Sequence, residues 1–121
     1  MSLRKFEDIL AWQETRNLVN QIYNLTSAGT FSKDFGLRDQ ICRAAVSVMA
    51  NIAEGFDCDS NIELARFLGI ARRSVVEVQS LLYVALDVKY ITPEQSKICY
   101  EQASKTKALI SAFKSAMLKK V

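Results

Sequence analysis

Apolar residues recur along the chain at spacings of three and four, the period of an α-helix, and no stretch sustains the alternation of a strand. Glycine and a single proline divide the pattern into four helices. The first is expected from Glu7 to Thr26, with Ile9, Trp12, Val19, Ile22 and Tyr23 on one side and Leu10, Leu18 and Leu25 widening it. Glu7 and Asp8 then occupy its first turn, where the helix dipole favours negative charge. The second is expected from Leu37 to about Gly55, with a seam of Leu37, Ile41, Ala44, Val48 and Ile52. Its small residues suit a central helix, and Gly55 fits its terminus.

Ser60-Asn61-Ile62-Glu63 has the form of a capping box and opens the third helix, which carries Leu64, Phe67, Leu68, Ala71, Val75, Val78, Leu82 and Ala85 and ends near Tyr90. Thr92, Pro93 and Gln95 make a second capping box for the fourth, whose Cys99, Ala103, Thr106, Ile110, Phe113 and Met117 follow a heptad-like rhythm. Between the first two helices, Ser27 to Gly36 forms the longest loop, and Phe31 and Phe35 are expected to pin it to the bundle. The links at Asp57–Asp59 and Ile91–Thr92 are too short for anything but antiparallel neighbours. The expected fold is all-α, an antiparallel up-down-up-down four-helix bundle, one domain over residues 1–121.

Composition removes several kinds of chemistry. There is no histidine among the 121 residues, so histidine triads, the usual zinc sites and imidazole catalysis are excluded. Cys42, Cys58 and Cys99 are widely spaced and match no metal pattern. No serine or cysteine has an identifiable base beside it, so an enzyme is not expected, nor a cofactor. No targeting signal is recognisable, and no apolar run approaches the ~18 residues that span a bilayer. A cytoplasmic protein without a membrane partner is expected.

Two sets of polar residues stand out. Gln40, Arg43, Asn51 and Glu54 on the second helix, with Ser74 and Glu77 on the third, lie on or beside the apolar seams. A carboxylate near a core must be paired or protonated, so a partly buried polar network fixing helix register is the favoured reading. The competing reading makes Glu54 and Glu77 an acid–base or metal-binding pair, but a bundle metal site would normally add histidines. The second set is cationic. Beyond Ile91 there are six lysines against two acids, a net +4, more than the +3 of the whole chain. Lys105, Lys107, Lys114, Lys119 and Lys120 are candidate contacts for nucleic-acid phosphates, weighed against a solvated helix face. The first, third and fourth helices also carry apolar stripes wider than one small bundle buries, which points to homo-oligomerisation.

A longer pattern carries a resemblance. It runs through Phe6-Glu7-Asp8-Ile9-Leu10-Ala11-Trp12-Gln13 and Phe35-Gly36-Leu37-Arg38-Asp39-Gln40-Ile41-Cys42-Arg43-Ala44-Ala45. It continues through Ser47-Val48, Asn51-Ile52-Ala53-Glu54-Gly55 and Glu63-Leu64-Ala65-Arg66-Phe67-Leu68-Gly69-Ile70-Ala71, with Ser74 and Glu77. In these residues the chain resembles the four-helix-bundle family of 23S rRNA intervening-sequence proteins. The resemblance implies a small bacterial protein of a kind sometimes encoded within 23S rRNA genes, a helical bundle, and assembly as a homopentamer. A related branch, the accessory protein of diversity-generating retroelements, binds a reverse transcriptase and nucleic acid, and no member is an established enzyme. The expected function is a non-enzymatic oligomeric binding protein for RNA or an RNA-handling partner. The alternative is a protein–protein interaction scaffold.

Overall fold

The computed structural model describes residues 3–121. Among these, four long helices account for most of the chain: α1 (Leu10–Thr26), α2 (Phe35–Phe56), α3 (Asn61–Asp87) and α4 (Pro93–Leu118). Each packs on its neighbour in sequence, and α4 closes against α1. Cross-contacts fix the direction of three seams. Ser47 meets Ser74 while Gly55 meets Phe67, so α2 and α3 run antiparallel. Arg72 reaches Ser111 and Gln79 reaches Ser104, so α3 and α4 do as well. Glu14 faces Gln102 and Lys105, while Gln21 and Asn24 share a groove with Gln95 and Ile98, which sets α1 antiparallel to α4.

The helix starts follow side-chain chemistry. Thr92 accepts from the Gln95 N–H at 3.1 Å and Gln95 accepts from the Thr92 N–H at 2.9 Å, the full capping box expected for α4. Only half of the corresponding box forms at α3. Ser60 accepts from the Glu63 N–H at 3.1 Å, but the Glu63 carboxylate turns to Arg66 at 2.8 Å. The α2 start lies two residues ahead of the sequence expectation, because the Asp34 carboxylate caps it by accepting from the Leu37 N–H at 3.1 Å. The first helix starts later than expected. Phe6–Asp8 form a short 3₁₀ turn and Ile9 is extended, so the regular helix begins only at Leu10.

The core holds Ile9, Leu18, Ile22, Ile41, Val48, Ile52, Leu68, Val75, Val78, Leu82 and Ile110, all buried. Helix α3, not α2, is the central element, with ten buried residues against six. It packs extensively on both α2 and α4, whereas α2 packs extensively on α3 and less on α1. Buried threonines need no outside partner. The Thr15, Thr26 and Thr106 hydroxyls donate to the carbonyls of Ala11, Ile22 and Gln102 one turn back, at 2.7, 2.9 and 2.9 Å. Phe31 is fully buried and stacks on Tyr90 at 5.2 Å, as a loop anchor should. Phe35 is no anchor: as the first residue of α2 it projects outward and is 64% exposed. Leu10 and Tyr23, expected on the inward stripe, are also exposed.

Candidate functional site

The expected polar network does not form a buried cluster. Its core is small and lies between α2 and α3: the Ser47 and Ser74 hydroxyls share a hydrogen bond at 3.2 Å, and Asn51 donates to the Ser47 carbonyl at 2.8 Å and hydroxyl at 3.0 Å. Asn51 and Ser74 are half-buried, whereas Gln40, Arg43, Glu54 and Glu77 are exposed. The reason is helical phase. Ile52 and Gly55 take the inward direction, so Glu54, two residues after Ile52, points the opposite way. Val75 and Val78 do the same to Glu77. The pairing of Glu54 with Glu77 is also overturned. Glu77 accepts from Gln40 at 3.4 Å, and Gln40 lies about 21 Å along α2 from Glu54. Among the described residues no group of three cysteine or carboxylate ligands could hold a metal ion.

What α2 and α3 form instead is an open groove of about 550 Å³. Arg43, Gln40 and Asp39 stand on its α2 side and Glu77 on its α3 side, over a floor of Gly36, Ala44, Ser47 and Ser74. Phe35 closes one end, with the Arg38 guanidinium 4.8 Å above its ring. Small floor residues keep the groove open, and the two hydroxyls satisfy each other.

The lysines of α4 separate into distinct settings. Lys105 points towards α1 and pairs with Glu14 at 3.4 Å. The Glu14 carboxyl is held below its usual range chiefly by the Gln102 amide, with Asn17 and Lys105 adding to the effect. Lys107 and Lys114, two turns apart, share the side that faces α3, and both are half-buried. Lys114 lies across Gly69: its Nζ is 3.2 Å from where a side chain on that glycine would begin. Between the two lysines Arg72 donates to Ser111 at 3.0 Å, bringing a third cation into the α3/α4 seam, while Arg73, about 100° further round α3, is exposed on the outer face. None of Arg72, Arg73, Lys107 and Lys114 makes an ion pair among the described residues, where the pairs are Arg38–Asp39, Arg66–Glu63 and Lys105–Glu14. Lys119 and Lys120 are exposed beyond the last residue of α4.

Arg72 is not recognisable from apolar spacing as part of this seam, because its place depends on the α3/α4 register. Phe35 and Ser47 join the groove through the phase and register of α2 against α3, which apolar spacing alone does not carry.

A closed ring of four helices with two polar surface features and an apolar centre defines a helical-bundle protein whose candidate sites lie on its outer faces. The family model for 23S rRNA-intervening sequence protein matches residues 7–112, and the chain belongs to that family. It is also similar to a crystal structure from Bacteroides thetaiotaomicron VPI-5482, described as a protein of unknown function from the S23 ribosomal protein family. The two share 22% identity with a TM-score of 0.81, over 88% of this chain and 96% of that one, a likeness of fold. No curated protein matches the chain. Among the described residues no helix is long and apolar enough to cross a membrane.

Proposed function

We propose that the chain is a non-enzymatic, self-associating bundle protein that binds RNA backbone along the α3/α4 seam. The observation that carries this reading is the run of Arg72, Lys107 and Lys114 along one seam, none of them in an ion pair among the described residues. Cations held at fixed spacing by two helices suit a row of phosphates, and contacts of this kind position a nucleic acid without reading its sequence. Arg72 is held by Ser111 and the two lysines are half-buried, so less side-chain freedom is lost on binding than for the exposed Lys119 and Lys120. RNA, or the surface of an RNA-handling partner, is the class of ligand this favours, in a cytoplasmic setting.

Self-association is supported by apolar side chains left in water. Val76, Tyr83 and Val84 on α3, Val88 just past its end and Ile98 on α4 are each more than two-fifths exposed. Repetition of the seam around a ring would strengthen binding through multivalency, and five copies is the number the family resemblance suggests. The same apolar residues favour a second reading, a protein-interaction scaffold without a nucleic-acid role.

Light scattering combined with RNA titration separates these readings. The first requires a mass several times 13.6 kDa and RNA binding at low salt. An assembly that binds no RNA leaves the scaffold, and a monomer without RNA binding removes both.

A further inference from the structure

We infer that the α2/α3 groove is a guanine-selective site, taking the base of an unpaired guanosine or of a free guanine nucleotide. It lies on a different seam from the proposed phosphate row, and only the RNA source of the base rests on that earlier reading. Its volume of about 550 Å³ is in the range of small-ligand pockets.

The groove presents opposite hydrogen-bonding character on its two sides. Arg43 makes no hydrogen bond or ion pair among the described residues, so its planar fork of donors is free. Glu77 has one oxygen held by Gln40 and leaves the other open. The two side chains stand at the same level. Arg43 lies one turn before Ser47, Glu77 one turn after Ser74, and the helices are antiparallel. At the end of the groove Phe35 offers an exposed ring, already carrying Arg38 on one side. Aromatic rings and guanidinium planes are the surfaces on which splayed bases stack.

Guanine matches this order of groups. Its O6 and N7 are adjacent acceptors for an arginine fork, and its N1–H and N2–H₂ are adjacent donors for a carboxylate. The two edges meet at O6, so one base can satisfy Arg43 and Glu77 together. Adenine sets its N6–H₂ donors towards the arginine and its N1 acceptor towards the carboxylate, placing like against like on both sides. Uracil and cytosine have no N7, so neither offers the O6 and N7 acceptor pair that guanine sets towards the arginine fork.

The test is equilibrium binding of GMP and AMP, and of uridine-rich single-stranded RNA carrying one guanosine or one adenosine, to the full chain and to E77Q and R43K. Both substitutions are at exposed positions, and thermal melting confirms that each variant folds. Guanine is expected to bind about tenfold tighter than adenine. That preference disappears in E77Q, because an amide serves adenine as well. It also disappears in R43K, which keeps the charge but loses the fork. Equal affinity for the two bases, or a preference that both variants retain, overturns the assignment. The two seams fail separately. RNA binding without base preference removes the guanine site and leaves the phosphate row, whereas GMP selectivity without RNA binding keeps the guanine site and removes the phosphate row.

Discussion

The Tyr90 hydroxyl, just past the end of α3, donates to Asp34 Oδ2 at 2.8 Å, and the other oxygen of the same carboxylate caps α2 through the Leu37 N–H. Residues 56 apart in sequence thus share one carboxylate. The Leu37 N–H and then the Tyr90 hydroxyl hold the Asp34 carboxyl below its ordinary range, while the bond to Asp34 pushes the Tyr90 phenol up.

These shifts fix a pH window. A lowered carboxyl stabilises the fold above its unfolded titration and loses that contribution as pH falls through the folded value. A raised phenol stabilises below its unfolded titration and loses that contribution as pH rises through the folded value. Tyr90→Phe should therefore lower the urea midpoint most at neutral pH, with a smaller deficit once Asp34 is protonated. Urea melts of both proteins at the two pH values check this, and an equal deficit at both contradicts it.

Two helical glycines, Gly55 in the last turn of α2 and Gly69 within α3, should respond in opposite directions to alanine. A Cβ at Gly55 would lie 2.6 Å from the Cβ of Phe67 and 3.1 Å from Leu64, so α2 and α3 must separate. Gly55→Ala should cost about 1–3 kcal/mol. At Gly69 the obstacle is only the mobile end of Lys114, which can swing aside. Gly69→Ala should be neutral or stabilising by up to about 1 kcal/mol, from the gain in helix propensity. Chemical denaturation of the two variants decides, and equal destabilisation would contradict the packing described.

Helix α3 ends in a Schellman turn: the Tyr90 N–H reaches the Ala85 carbonyl at 2.9 Å and the Lys89 N–H the Leu86 carbonyl at 3.0 Å. Lys89 sits at the left-handed position, with φ of 65°. Lys89→Gly should stabilise the protein by about 1 kcal/mol, since glycine adopts that conformation without a steric penalty. A lower melting temperature for the variant would count against this account of the turn.

The helices were legible in the sequence because apolar spacing and caps such as Thr92–Gln95 act locally. The Glu7 start was misread because Asp8 turns back to accept from the Arg4 and Lys5 N–H groups, closing a separate turn before Ile9. Gly55 reads as a terminus and does lie one residue before the end of α2, but it also marks a close approach between helices, which only the partner Phe67 reveals. The candidate sites were half legible. Gln40, Arg43, Ser74 and Glu77 could be selected as unusual, but their exposure depends on phase angles that the sequence leaves loose by a residue or two. The lysines were visible as a count, and their division between Glu14, the α3 seam and the free end was not.

The central claim is that phosphate is met at the α3/α4 seam. The most direct measurement is the dependence of RNA affinity on salt for three proteins: wild type, the triple variant R72Q/K107Q/K114Q, and the control K119Q/K120Q. Each phosphate contact on single-stranded RNA contributes about 0.7 to the slope of log K against log salt. The account predicts that the triple variant loses about 2 from the slope while the control keeps nearly the wild-type value. An unchanged slope in the triple variant, or a larger loss in the control, would place the contact elsewhere and contradict the account.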